Sequence, residues 1–408
     1  MKIWLINHYA IPPQYYPLAR PSLFAKNLIK MGHYVTIIAA STIHNSDGKN
    51  LIEGKEKVKK IVDDGISYVL INCSAYKGNG IKRVKNILEF AKRLPNVLNT
   101  LDKPDAVVAT SFDPFTCYAS IKYAKRYGIK AVAEIADLWP ETLVAYNGLS
   151  PSNIVVKYLR KIEKSIYTRA DAIIFTMEGA YDYIIEQGWE KEIPRSKVYY
   201  INNGVDLALF DYNKKHYQVR DLDLENEELF KIVYTGAIRK VNNLDKLLDI
   251  AKSVKNSSIR FLVWGDGDEL QHLQERKEKE IIDNVVFKGK VEKKYVPYIT
   301  SHADLNYAHN DNSPLFRFGV SFNKIFDYMA AGKPILCDFE AKYNPILMNN
   351  CGVCIFDSSQ AKIARSIEKM MLMNVDKYKE YCYMARKSAQ KYDFRNLTKE
   401  LVAILEQN

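Results

Sequence analysis

Ser313-Pro-Leu-Phe-Arg-Phe-Gly-Val-Ser-Phe-Asn-Lys-Ile-Phe-Asp-Tyr-Met-Ala-Ala-Gly-Lys-Pro-Ile-Leu336 is the stretch on which the fold turns. It reads as an irregular loop, a short helix with Ser321 as N-cap, a stop at Gly332 and a strand over 334–337. Serine at an N-cap and glycine just past a helix C-terminus are strong boundary signals. The loop thereby delivers Gly319, Val320 and Ser321 to a helix N-terminus, where free N–H groups and the positive dipole end favour an anion. Lys324 and Asp327, three apart, share one helix face. A cation near the N-terminus and a carboxylate one turn later suit a ligand with phosphate at one end and hydroxyls at the other. A sugar nucleotide is such a ligand. A plain core helix would use Phe326, Tyr328 and Met329, but would not require Asn323, Lys324 and Asp327 beside a glycine loop.

Working outward, short β-branched or aromatic runs alternate with longer helical patterns. Strands are expected at 2–9, 34–40, 67–73, 106–110, 131–135, 172–176 and 198–202, with helices at 18–31, 114–127, 153–169 and 178–187 between them. The pattern restarts with strands at 231–235, 259–264, 285–288, 305–309, 334–337 and 352–356. Alternation of this kind argues parallel, doubly wound sheets. The expected fold is α/β, with two Rossmann-like domains facing a cleft. Asn203-Gly204 is a turn signal. It sets the expected boundary: 1–205 plus a returning helix 392–408 form the first domain, and 206–391 the second.

At 408 residues the chain exceeds one ordinary core. No apolar run is long enough to span a bilayer, and residues 1–10 lack a signal-peptide cleavage site. The six cysteines fall mostly in apolar runs, and Cys351-Gly-Val-Cys354 has no second ligand pair. A reducing, cytoplasmic location follows as an expectation. The net charge of +11 points to phosphorylated substrates or an anionic membrane surface, since no nucleic-acid-binding signature accompanies it. From 77 to 103, Lys77, Lys82, Arg83, Lys85, Lys92, Arg93 and Lys103 face only Glu89 and Asp102. Apolar residues interleave there at helical spacing, so the stretch reads either as a basic amphipathic helix on a headgroup layer or as a solvated helix packed on the core.

Phe318-Gly-Val-Ser-Phe-Asn-Lys-Ile-Phe-Asp-Tyr-Met-Ala-Ala-Gly-Lys-Pro-Ile335 resembles the donor-binding segment of GT-B, family-4-type retaining glycosyltransferases. The likeness is nearest to the bacterial branch that builds O-antigen, capsule and exopolysaccharide repeats. Where that family places two Glu eight positions apart, this chain has Gly319 and Asp327. The resemblance assigns Asp327 to the nucleotide ribose and leaves only backbone at Gly319. Tyr234-Thr-Gly236-Ala-Ile-Arg239-Lys240 resembles the family's loop that neutralises the donor diphosphate, with Arg239 and Lys240 as joint candidates. Lys290 and Val291 sit where the family's backbone reads the base. Asn203-Gly-Val-Asp206 resembles the family's interdomain connector.

Asp137-Leu-Trp-Pro140 resembles a motif near the family's acceptor site, and either Asp137 or Glu134 is expected to orient an acceptor hydroxyl. Asn7, His8 and Arg20 follow the first strand, with Arg20 a candidate for an acceptor phosphate and His8 for ligand contact or structure. Trp264-Gly-Asp266-Gly267-Asp268 reads as a tight turn in preference to a metal-binding carboxylate pair or a dinucleotide fingerprint.

The resemblance implies transfer of a hexose-type sugar from a nucleoside diphosphate, UDP first, to a glycan acceptor. That acceptor would be linked to polyprenyl diphosphate at the inner membrane face. No metal and no cofactor beyond the nucleotide-sugar co-substrate are expected. Two other readings stay open: a sugar-nucleotide epimerase of the same fold, and a non-catalytic carbohydrate- or membrane-binding subunit, which the missing Glu at Gly319 favours.

Overall fold

The computed structural model describes residues 1–15, 19–44, 46, 48–356 and 359–407. Part of the loop after the first strand, residues 16–18, and the last residue of the expected returning helix lie outside them. The chain divides into unit 1, Met1–Asn202 with Leu397–Asn408, and unit 2, Asn203–Asn396.

Unit 1 contains strands β1 Lys2–Ile6, β2 Tyr34–Ala40, β3 Val58–Asp63, β4 Ile66–Ile71, β5 Ala106–Thr110, β6 Lys130–Ile135, β7 Ala172–Phe175 and β8 Val198–Tyr200. They form one sheet in the order β3-β4-β2-β1-β5-β6-β7-β8. Every pairing is parallel except β3 with β4. That antiparallel strand was not anticipated. Asp64 and Gly65, both at positive φ, make the two-residue turn that joins it to β4. Lys59 and Lys60 keep this sheet edge exposed and charged. Central strands are apolar on both faces because helices cover both; β5 and β7 are buried throughout.

Unit 2 holds β9 Phe230–Thr235, β10 Ile259–Trp264, β11 Val285–Gly289, β12 Leu305–Ala308, β13 Ile335–Cys337 and β14 Gly352–Cys354, all parallel. Their order is β11-β10-β9-β12-β13-β14. In both sheets the strand order reverses once, between β1 and β5 and between β9 and β12. Successive connections leave opposite sides of the sheet at such a point, so a crevice opens beyond the strands' carboxyl ends. The site candidates follow strands at these edges. Helix Phe394–Glu406 begins in unit 2 and ends in unit 1, where Gln407 accepts hydrogen bonds from Lys130 and Tyr199.

Candidate functional site

At the β9/β12 crossover of unit 2, three elements converge. Lys324, second residue of helix Asn323–Ala331, lays its Nζ 4.1 Å from the centre of the Tyr234 ring and donates to Tyr234 Oη at 2.9 Å. Tyr234 Oη in turn donates to Ala237 O at 3.0 Å. A methyl group on Gly236 would sit 3.2 Å from the Lys324 Nζ, so ammonium and glycine loop are neighbours. Tyr328, one turn along the helix, accepts the Thr235 N–H at 2.9 Å. The sequence thus fixes helix and loop together through two tyrosines. Burial pushes the Lys324 pKa down to about 7, with the Asp338 carboxylate opposing the shift. Burial raises Asp327, against the opposing charge of Lys293. Arg239 and Lys240 project into solvent and make no ion pair among the described residues. Lys290 is exposed just past β11, and Val291 packs against the cluster around Trp264.

Two expectations for the loop require correction. The helix starts at Asn323, with Phe322 as N-cap, so Ser321 does not cap it. The Ser321 hydroxyl instead accepts from Asn203 N at 3.3 Å, and its carbonyl accepts from Asn203 Nδ2 at 2.9 Å. Gly319 does adopt a glycine-favouring φ of 103°, but its N–H donates to Phe316 O at 3.0 Å and is not available to a ligand. Val320 is core, and the exposed Asn323 opens the helix.

The Gly265-Asp-Gly267 turn has a structural reason. A Cβ on Gly265 would lie 1.9 Å from Gly236 O, and one on Gly267 2.0 Å from Ile238 O. Only glycine lets this backbone lie against the loop after β9, where Ile238 N donates to Asp266 O at 2.9 Å. Asp245, Glu269 and His272 are the one group among the described residues spaced for a metal, yet Arg276 already pairs with Asp245 at 2.7 Å.

The sequence reading missed a buried network behind this loop. His309 Nδ1 lies 2.7 Å from Asp338 Oδ2, and its Nε2 3.0 Å from Asn243 O. Carboxylate and carbonyl can only accept, so the ring is held between two acceptors. Lys246 and Tyr307 also bind Asp338, at 3.2 and 2.7 Å. Asn243 sits at φ 42° with its carbonyl held by His309, which anchors the segment carrying Arg239 and Lys240. The available signal was polar residues, His309 and Asp338, ending two buried neighbouring strands.

In unit 1, Arg20 and Glu134 are not open to an acceptor, which corrects both assignments. They form an ion pair at 2.9–3.0 Å with both side chains under 10% exposed. Arg20 also donates to Asn202 O at 2.6 Å and Ile201 O at 2.9 Å, and Glu134 accepts from Thr110 Oγ1 at 2.8 Å. Asp137 is exposed just past β6, yet the protein packed around its carboxyl desolvates it and pushes it up to about 6, with the Arg83 charge opposing. Asn7 and His8 are buried at the end of β1.

Residues 23–209 match the family model described as Glycosyltransferase Family 4, and residues 219–390 the one described as Glycosyl transferases group 1. The chain belongs to the family-4-type glycosyltransferases. TuaH of Bacillus subtilis (strain 168), named as a teichuronic acid biosynthesis glycosyltransferase, is 27% identical over 213 residues, 51% of this chain and 50% of TuaH. WbjE of Pseudomonas aeruginosa, named as a glycosyltransferase, is 22% identical over 221 residues, 54% of this chain and 53% of WbjE. The matched region therefore spans about half the length of these curated relatives. Among solved structures, an E. coli trehalose-6-phosphate structure bound with UDP-2-fluoro glucose aligns at TM-score 0.75 and 10% identity, covering 100% of this chain and 99% of that one. Anabaena HepE in complex with UDP aligns at 0.66 and 13%, covering 99% of each chain. At these identities the likeness shows the fold, GT-B, with two parallel-sheet α/β domains.

Two measurements check these arrangements. Burial lowers the Lys324 pKa to about 7, and a diphosphate beside it would favour the charged form and raise that value. Below about 7 the ammonium is charged with or without ligand and affinity is flat; above it, binding would take up a proton. UDP affinity should thus weaken with rising pH by up to about tenfold per unit. Calorimetry in buffers of differing ionisation heat should register the proton, and Lys324→Met should remove the slope. Second, Arg20→Met strands a buried carboxylate and should cost about 3–5 kcal/mol in denaturant unfolding. An unchanged unfolding midpoint would return Arg20 to the ligand-binding candidates.

Proposed function

We propose that this glycosyltransferase moves a sugar, with retention, from a UDP-sugar to a lipid-linked glycan acceptor in surface polysaccharide assembly. The observation that carries the donor half is the Lys324 ammonium, placed beside Gly236 at a helix N-terminus with no carboxylate paired to it among the described residues. That position calls for an anion. Diphosphate there would be met by Lys324, by Arg239 and Lys240 on the preceding loop, and by the first N–H groups of helix Asn323–Ala331. As the anomeric carbon gains positive character, the departing diphosphate gains negative charge. Fixed cations and dipoles stabilise it without reorganising, and no metal is required. In this reading Asp327, one turn further on, takes the ribose hydroxyls. The polysaccharide assignment draws on the likeness to TuaH, named as a teichuronic acid biosynthesis glycosyltransferase.

UDP should raise the melting temperature of the protein, because ligand binding to the folded state adds stability by mass action. The rise should persist in EDTA, and Asp327→Ala should weaken UDP binding by about 1–3 kcal/mol. An EDTA-sensitive shift restored by Mn²⁺ would bring a metal into the donor site, and unchanged affinity in folded Asp327→Ala would remove the ribose assignment.

A membrane-bound acceptor requires the enzyme to reach a lipid surface, and no helix among the described residues is long and apolar enough to cross a membrane. Helix Ile81–Leu98 supplies a surface contact. Its inward side buries Asn86, Phe90, Leu94 and Leu98, while Ile81, Val84 and Leu88 stand 88%, 49% and 44% exposed. Lys82, Lys85 and Lys92 are exposed along the same helix. Apolar residues on the open side of a helix that already has a core side support the headgroup reading over the solvated one. Each lysine near acidic lipid contributes about 1 kcal/mol, lost as salt screens it. Changing Lys82, Lys85 and Lys92 to Gln should release the protein from anionic vesicles at low salt while leaving UDP binding intact. Equal sedimentation of the variant and the parent protein would reduce the helix to ordinary surface.

A further inference from the structure

Strands β9, β12 and β13 of the unit 2 sheet are neighbours, and two of them end on buried charge-bearing residues. Asp338, directly after β13, is 2% exposed, and His309, directly after β12, is 1% exposed. A carboxylate in such a place is costly unless charge and hydrogen bonds surround it. Here they do. The His309 ring presents Nδ1 to both Asp338 oxygens, at 2.8 and 2.7 Å. Tyr307 Oη donates to Asp338 Oδ2 at 2.7 Å, and Lys246 Nζ stands 3.2 Å from the same oxygen. Burial alone would raise the Asp338 pKa, but His309, Lys246 and Tyr307 together hold it below the ordinary carboxylate value. Apolar side chains of similar volume are often as stabilising as a buried ionic cluster, so this one calls for a reason beyond packing.

The other ring nitrogen of His309 supplies that reason. Nε2 lies 3.0 Å from Asn243 O, at the far end of the loop that leaves β9. The near end of this loop is fixed by close backbone approach, Gly265 against Gly236 and Gly267 against Ile238. The far end turns through Asn243 at φ 42° and is gripped from three sides. His309 meets its carbonyl, Lys246 N donates to that carbonyl at 3.2 Å, and Asp311 accepts from Asn243 Nδ2 at 2.8 and 3.0 Å. Between the two fixed ends lie Arg239 and Lys240, both exposed. The network also borders the Lys324 side. Beyond the paired Asn306 and Val233, the next residues of β12 and β9 are Tyr307 and Tyr234. Tyr307 binds Asp338, and Tyr234 accepts from Lys324 at 2.9 Å.

We propose that His309 and Asp338 are positioning residues for the donor diphosphate: Asp338 fixes the imidazole ring, His309 holds the Asn243 carbonyl, and the Arg239–Lys240 segment is thereby kept at the end of β9 beside Lys324. Neither residue touches the ligand. The inference rests on the donor reading of Lys324 and adds the device that holds a second pair of cations near the first. A loop whose charges are fixed before binding gives up little conformational entropy when an anion arrives, and little has to move as charge develops.

Two measurements on the full chain test it. His309→Leu removes the tie to Asn243, and Asp338→Asn, which keeps the size of the side chain, is the second variant should the first not fold. Without nucleotide, hydrogen exchange is followed at Asn242 and Asn243, whose N–H groups donate to Arg239 O at 2.8 Å and Lys240 O at 3.1 Å. It should quicken about tenfold or more in the variants while helix Asn323–Ala331 is unchanged. In calorimetry, UDP affinity should fall about tenfold, whereas uridine, which lacks the diphosphate, should bind as it does to the parent protein. His309→Gln retains an N–H for the Asn243 carbonyl and should recover most of the loss. With Arg239→Gln and Lys240→Gln already in place, His309→Leu should cost UDP nothing further, because the cations it positions are gone. The proposal is overturned if exchange at Asn242 and Asn243 is unchanged, if UDP and uridine weaken equally, or if the His309 effect persists without the two cations. A parent protein that binds neither nucleotide counts against the donor reading, while the exchange comparison still decides whether His309 holds the loop.

Discussion

The candidate donor site depends on a lysine ammonium held against a tyrosine ring. An ammonium taken out of water loses hydration that one phenol oxygen and one aromatic face do not fully replace. The lowered pKa of Lys324 expresses that deficit. A paired carboxylate would have remedied it and closed the site to anions. Asp338 is near enough to act on Lys324 but is committed to His309, Lys246 and Tyr307. The lysine is therefore left without a carboxylate of its own among the described residues, and the proposed donor role draws on that.

Holding a cation in that state requires rigid surroundings, and the backbone supplies them. The loop after β9 is pressed against the turn after β10 so closely that a single added carbon at Gly265 or Gly267 would enter a carbonyl oxygen. On its far side the same loop is tied by the His309 ring through the Asn243 carbonyl. Preorganised charge of this kind acts on a leaving group at once, since little must move as negative charge grows. The arrangement explains why glycines and buried polar residues gather at the ends of β9, β10, β12 and β13.

Much of the fold was legible because parallel strands covered on both faces are apolar along their whole length. Strands β2, β5 and β10 have the bounds their sequences suggest. The first strand was read too long: a turn from Ala10 N to Asn7 O ends it after Ile6, although Tyr9 and Ala10 look strand-like. The antiparallel β3 was missed because Val-Lys-Lys-Ile-Val-Asp alternates weakly, although Asp64-Gly65 was a hairpin signal in plain view. Ser321 is a good cap by type, yet Asn203, distant in sequence, takes its oxygen. Propensity gives way to a tertiary partner whenever that partner is stronger, and no local pattern reveals it.

The acceptor side shows the same limit more sharply, in two arginines that are alike in sequence. Arg20 follows the first strand, where a phosphate ligand seemed natural, but Glu134, 114 residues away, closes on it inside the sheet edge. Arg83 lies in a basic run that reads as surface charge, yet its guanidinium turns toward Tyr9 and acts on the carboxylates of Asp113 and Asp137. What separates the two is the partner each meets. Arg20 meets a buried carboxylate and two carbonyls, which together use its donors and leave it structural. Arg83 meets a phenol and the Asn79 side chain and stays half-open. Asp113 feels that charge but is committed to capping the following helix, through Thr116 N at 2.7 Å. The role of each arginine is set by the groups it reaches in the folded chain, and no spacing in the sequence names them.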